Sequence, residues 1–331
     1  MGLTTRTIGA TSVQVTELGF GGAPIGAVGK RLSEDQVDEI VQSAWEKGIR
    51  YFDTAPLYGH GLSEKRLGRN LVAFERDQFA LSTKIGRLLV PREEGERFAG
   101  MRDDEPVAIQ YDYSEDAVRK SFESSLQRLG LDRVDILLCH DIDKWTHGEA
   151  QPGIYESASK GALPALHRLR EEGIVRAIGL GVNESAVCTR VMREFDPDCF
   201  LLAGRFTLLE QEPLDEMLPL CLKKNVSVII GGPYNSGLLA NSDRRRATYD
   251  YKPVPEELWQ KAQRIREVCS SHEIDMRAAA LQYPLRHRAV ASVIPGMWSL
   301  NEVELNLELM QTDIPQSLWS DLAQEGLSRS W

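Results

Sequence analysis

Apolar runs of five to seven residues recur along the whole chain, separated by longer stretches with helical periodicity. The runs fall at 17–22, 49–53, 79–84, 134–140, 175–181, 199–204, 226–232 and 289–295, which makes eight. Most are continuous rather than alternating, as expected for parallel strands covered on both faces. The stretches between them carry helix-end signals. Residues 33–48 open with Ser33 and Gln36 in capping-box spacing and stop at Gly48. Residues 114–130 open at Ser114 and stop at Gly130, and 299–310 open with Ser299 and Glu302, again in capping-box spacing. Eight strand–helix units predict an α/β fold, a (β/α)8 TIM barrel. Residues 6–16 can form a β-hairpin across its floor. No repeat, low-complexity tract or linker divides the chain, so one barrel domain over 1–331 is expected. Two long connections, 86–113 and 141–160, follow strand ends on the face where barrels keep their sites, and are expected to act as substrate lids.

Composition narrows the picture only a little. The chain has 331 residues and a net charge of −10, which disfavours nucleic acid or an anionic membrane surface as a partner. Cys139, Cys188, Cys199, Cys221 and Cys269 are scattered without CxxC spacing, so neither a disulfide framework nor a zinc site is expected. No apolar run is long enough for a membrane span, and the start lacks a signal-peptide pattern. Arg6 stands where a myristoylation signal needs Ser or Thr. A cytoplasmic location is the expectation. The oligomeric state is not legible.

The chemistry gathers at the strand ends. Asp53 ends the second run, Lys84 the third and His140 the fourth, while Tyr58 lies just after the second. Singly, a strand-end aspartate is commonly a cap and a tyrosine commonly packing. In a barrel all four would face one space. A free phenol has a pKa of about 10 and trades protons poorly near neutrality. An ammonium beside it is expected to lower that value, an aspartate would hold the ammonium, and a histidine would fix a carbonyl or hydroxyl oxygen. Proton transfer at oxygen is half of a carbonyl/alcohol redox step. The other half, hydride, needs a cofactor.

With these residues in view, the sequence resembles the aldo-keto reductases over nearly its whole length. The carriers are "YFDTAPLYG" (51–59), "LSTK" (81–84), "LLCHD" (137–141), "IGLGVNE" (178–184) and "SVIPG" (292–296). The resemblance implies that Tyr58 is the general acid/base, Lys84 tunes it, Asp53 orients Lys84, and His140 positions the substrate. It also implies a nicotinamide cofactor. Asn183 matches the asparagine that binds the carboxamide, with Val182 where a serine is frequent. Gly231 stands where a tyrosine often stacks on the ring. Pro233, Asn235, Ser236, Gly237 and Leu238 match the loop over the pyrophosphate, whose backbone amides suit an anion. Pro295, Gly296, Glu302 and Asn306 match the adenosine end. Members that prefer NADP often carry a lysine and an arginine where this chain has Gly296 and Glu302. A carboxylate there repels a 2′-phosphate, so NAD is favoured, with NADP possible. Glu302 has a second natural role in the cap with Ser299.

Within the family, the text at 51–68, 111–141 and 201–211 looks like the aldose 1-dehydrogenases, which oxidise sugars such as L-fucose, L-galactose or D-arabinose to lactones. Pyridoxal 4-dehydrogenase shares that text, and its substrate also reacts as a cyclic hemiacetal. A reading from another class is a cofactor-sensing regulatory subunit. His60, two residues past Tyr58, and Trp145 are candidate substrate contacts. The other histidines show no metal-ligand spacing, and no metal is expected. The Gly-rich 19–26 segment is not GxGxxG, which argues against a dinucleotide site of the doubly wound type. Arg244, Arg245 and Arg246 read as a solvated loop.

Overall fold

A computed structural model describes residues 2–27, 30–91 and 107–331. Eight parallel strands follow the eight apolar runs: β1 (Phe20–Gly21), β2 (Tyr51–Asp53), β3 (Ala80–Ile85), β4 (Ile136–His140), β5 (Ala177–Val182), β6 (Cys199–Ala203), β7 (Ser227–Gly231) and β8 (Val290–Ile294). Each pairs with the next in chain order. Bridges between Leu18 and Val293 and between Gly21 and Gly296 bring the first strand against the last, nearly closing the ring. The first strand is the shortest, and these bridges replace a full ladder there.

Strand alternation sorts the side chains. Tyr51, Ala80, Ile136, Leu138, Ala177, Cys199, Leu201 and Ile229 fill the interior together with Ile8, Val13 and Val15. Phe52, Leu81, Leu137, Ile178 and Leu180 face the helical layer. Ile8, Val13 and Val15 belong to an antiparallel hairpin of Thr5–Thr7 with Gln14–Thr16, so the hairpin closes the barrel floor with apolar side chains.

The helices start and stop largely as their sequences direct. Ser33 Oγ accepts from the Gln36 amide at 3.2 Å and Gln36 Oε1 accepts from the Ser33 amide at 3.0 Å, a complete capping box. The helix Glu115–Leu129 is capped by Ser114 and ends on left-handed Gly130. The helix Leu300–Gln311 departs from expectation. Ser299 Oγ accepts from the Glu302 amide, but the Glu302 carboxylate accepts from the Trp298 amide at 2.6 Å instead of that of Ser299. The extended chain before the helix presents the earlier N–H, so only half of the expected box forms.

Of the two long connections, the first holds an antiparallel ribbon of Arg87–Pro91 with Val107–Tyr111. The rest of that expected lid, 92–106, lies outside the described residues. The second is largely helical: Lys144–His147, a 3-10 turn Gly148–Ala150, and Gln151–Lys160. All five cysteines are buried and unpaired. Among the described residues, no helix is long and apolar enough to cross a membrane.

Candidate active site

Interior parity carries the chemistry upward from the packed core. On β3 the inward positions run Ala80, Ser82, Lys84; on β4 they run Ile136, Leu138, His140; β2 contributes Tyr51 and then Asp53. The top layer therefore holds an acid, an amine and an imidazole. Lys84 Nζ donates to Asp53 Oδ2 at 2.7 Å and Oδ1 at 2.9 Å, and to the Thr54 carbonyl at 2.9 Å. It also lies 3.2 Å from the Tyr58 hydroxyl. Ser82 Oγ donates to Asp53 Oδ1 at 2.7 Å. The Tyr58 and His140 rings stand nearly perpendicular, 89° apart, with centroids 6.3 Å from each other. The structure thus brings together all four residues singled out in the sequence.

Lys84 crosses the barrel mouth beside Gly181 on β5. A methyl group at Gly181 would lie 3.1 Å from Lys84 Cε, tighter than ordinary packing allows, so the glycine leaves the channel for the amine.

The electrostatics correct one expectation. Burial acts to discharge Lys84, but Asp53 and Tyr58 together outweigh it and raise its pKa, so the amine stays an ammonium. The phenol moves the other way from the expected drop. Burial is the largest influence on Tyr58, Lys84 offsets only part of it, Asp53 pushes it up further, and its pKa rises to about 12. The ammonium restrains the rise without reversing it. Burial, with Arg87 and Lys84 nearby, holds His140 well below the ordinary imidazole value, which favours its neutral ring near neutral pH.

The candidate cofactor residues line the same end of the barrel. Asn183, just past β5, donates its amide N–H to Asp143 Oδ2 at 2.6 Å and its Nδ2 to Asp141 Oδ1 at 3.3 Å. Val182 is buried in the helical layer. Beyond β7, Asn235, Ser236 and Gly237 take consecutive positive φ values of 48°, 54° and 95°. The amides of Asn235, Gly237 and Leu238 are already engaged by the carbonyls of Gly232, Tyr234 and Asn235. The anion-ready row of amides expected there is therefore largely closed within its own turns. The Asn235 side chain bonds Thr207 and the Gly204 carbonyl, and Leu238 and Pro233 are buried, so these side chains hold the loop in shape. Ser236 and Gly237 are partly exposed.

At the adenosine end, Asn306 Oδ1 accepts from the Tyr234 hydroxyl at 2.7 Å. Pro295 is buried, and its carbonyl accepts from the Gly21 amide. Gly296 is exposed, and a Cβ there would lie 2.7 Å from Pro24 Cγ. Packing against Pro24 thus accounts for this glycine without appeal to the cofactor. Of the candidate substrate contacts, His60 is half-buried in a left-handed turn with φ 53°. Trp145 is 48% exposed on the short helix of the second insert. Arg244 pairs with Glu256 and Arg245 with Asp243. A dinucleotide fits these residues best at its nicotinamide end, where Asn183 and His140 both lie against the Asp141 carboxylate.

Four contributors were missed in the sequence: Ser82, Gly181, Arg87 and Asp141. Period-two alternation from Lys84 could have found Ser82, and strand register could have placed Gly181 opposite His140.

The chain matches the Aldo/keto reductase family over residues 17–324, and it belongs to that family. It is 40% identical to a D-threo-aldose 1-dehydrogenase of Pseudomonas sp, with 96% of each chain covered. It is 35% identical to a pyridoxal 4-dehydrogenase of Microbacterium luteolum, with 97% of each covered. It is 33% identical to the L-galactose dehydrogenase of Arabidopsis thaliana, over 91% of this chain and 86% of that one. In fold it is similar to an aldo-keto reductase from Bacillus halodurans in its holo form, with a TM-score of 0.78, 24% identity and coverage of 99% and 97%.

Proposed function

We propose that this aldo-keto reductase oxidises an aldose of the L-fucose, D-arabinose or L-galactose type at C1, giving the lactone, with NAD as the preferred hydride acceptor. The observation that carries the reading is one buried ammonium shared between the Asp53 carboxylate and the Tyr58 hydroxyl. When bound, a nicotinamide supplies the two-electron hydride chemistry that no side chain offers. Tyr58, as phenolate, takes the proton of the anomeric hydroxyl. Lys84 stabilises that phenolate, Asp53 keeps Lys84 charged and aimed, and His140 donates to the substrate oxygen through its neutral ring. The hydrogen at C1 leaves with its electron pair, and the C1–O bond gains its second order. Asn183 holds the carboxamide, with Ser236 and Gly237 near the pyrophosphate and Asn306 at the adenine. The similarity to three dehydrogenases, two of them named for sugars, supports the substrate class.

Purified protein with NAD and a panel of L-fucose, D-arabinose and L-galactose should generate the near-ultraviolet absorbance of NADH. No signal with any of them removes the sugar reading. The relative named for pyridoxal makes pyridoxal the second substrate to test, and turnover of pyridoxal alone would replace the first reading.

Two further outcomes follow. Because Tyr58 is held up at about 12, its phenolate is scarce at neutrality and grows about tenfold per pH unit below that value. Initial kcat/KM for oxidation should therefore climb from about pH 7 to about pH 10, while the reductive direction, which uses the protonated phenol, stays flat. A flat oxidative profile would contradict the role given to Tyr58. Glu302→Arg should raise the NADP-to-NAD ratio of kcat/KM by about tenfold or more, since a cation replaces a carboxylate near the ribose. An unchanged ratio would overturn the account of the adenosine end.

A further inference from the structure

Asp141 directly follows His140 at the top of β4, where strict alternation would point its side chain away from the barrel mouth. The backbone prevents that. Asp141 adopts φ 50°, a left-handed conformation that few residues other than glycine tolerate and that costs on the order of 1 kcal/mol or more. Its amide is tied to the Gly181 carbonyl at 2.9 Å, and its own carbonyl accepts from Tyr113 Oη and His147 Nε2, each at 2.8 Å. The turn swings the buried carboxylate back beside its neighbour. Oδ2 pairs with the Arg87 guanidinium and lies 3.3 Å from His140 Nε2. Oδ1 accepts from Asn183 Nδ2 at 3.3 Å. One carboxylate therefore joins the end of β4, the end of β5 and the ribbon that starts at Arg87.

We propose that Asp141, with Arg87 as its counter-ion, is the positioning residue that sets His140 and Asn183 in register, so that one carboxylate aligns the substrate oxygen with the nicotinamide carboxamide. The proposal rests on the functional reading above. A carboxylate beside Nε2 keeps the imidazole proton on that nitrogen. Accepting from Nδ2 also turns the Asn183 amide so that its oxygen is the end left for a carboxamide N–H₂. The charge of Asp141 is itself conditional. Burial lifts its carboxyl to about 6, with Arg87 holding it down, Asp143 pushing it up, and Lys84 helping to hold it down. His140, also against it, is itself held well below the ordinary imidazole value by burial, Arg87 and Lys84. Protonation of Asp141 weakens both contacts at once.

The test uses the full chain, comparing wild type with Asp141→Asn. Affinity for NAD is read by tryptophan fluorescence without substrate, and kcat and KM are read across pH. The variant should bind NAD about tenfold more weakly, the loss of one well-placed hydrogen bond. Its kcat should fall by about ten- to a hundredfold through misregister at the reacting atoms. Wild-type kcat/KM should steepen below about pH 6, beyond the slope that Tyr58 gives, and this acid limb should be absent from the variant. Unchanged NAD affinity, or a uniform activity loss that keeps the acid limb, would overturn the proposal. If Asp141→Asn fails to fold, Arg87→Leu carries the same test: removing the cation should move the acid limb to higher pH, whereas Arg87→Lys should leave it near its place. A limb that stays put in Arg87→Leu refutes the coupling. Should wild type turn over no sugar and no pyridoxal, the functional reading fails, while the NAD-affinity comparison still decides the role of Asp141.

Discussion

Tyr58→Phe is expected to lower kcat for aldose oxidation by about two to four orders of magnitude, the range lost when a positioned proton-transfer group is removed. The substitution deletes one oxygen. Among the described residues that oxygen has one partner at hydrogen-bonding distance, Lys84 Nζ at 3.2 Å. Lys84 keeps both Asp53 oxygens and the Thr54 carbonyl, so the ion pair survives and the ring still fills its place. Stability should change by no more than about 1 kcal/mol, and NAD affinity should hold. Steady-state rates, a urea melt and cofactor titration on the same sample check all three. Activity within a few-fold of wild type would mean that another group accepts the proton.

Lys84→Met is expected to destabilise the protein by about 3–5 kcal/mol, besides abolishing measurable turnover. Methionine roughly fills the volume beside Gly181 but leaves the Asp53 carboxylate, 2% exposed, with Ser82 as its remaining side-chain donor among the described residues. An uncompensated carboxylate in that setting raises its own pKa. A carboxyl whose folded-state pKa lies above its unfolded value binds its proton more tightly in the fold. The variant should then be least disadvantaged at low pH and lose stability as pH rises through that raised value. Urea midpoints at about pH 5 and about pH 8 measure the difference. The double variant Asp53→Asn with Lys84→Met should recover part of the loss, since no buried charge then remains unpaired. Equal destabilisation at both pH values, or a double variant no better than the single one, would show that Asp53 is not held as a carboxylate by Lys84.

Much of the fold was legible because parallel strands buried on both faces and capped amphipathic helices leave plain traces in sequence. The eight apolar runs became the eight strands, and Ser33, Ser114 and Ser299 cap the helices they were expected to open. The reciprocal half of the Glu302 box failed because side-chain reach depends on how the preceding chain enters the helix. The self-bonded turns at 232–238 were hidden for a similar reason: a run of Pro, Asn, Ser and Gly announces a turn but not which amides it consumes.

The sequence by itself determined the barrel, its family and the residue types at the strand ends, because strand periodicity and helix caps act over a few neighbouring positions. The tertiary structure decided what those residues are to one another. That Lys84 can cross the mouth depends on Gly181, far along the chain. That Tyr58 is a weaker acid than a free phenol depends on burial outweighing a nearby ammonium, and burial is a property of the packed whole. That Asp141 turns inward depends on a left-handed backbone held by Gly181, Tyr113 and His147. Desolvation and contact between distant segments exist only once the chain has closed on itself.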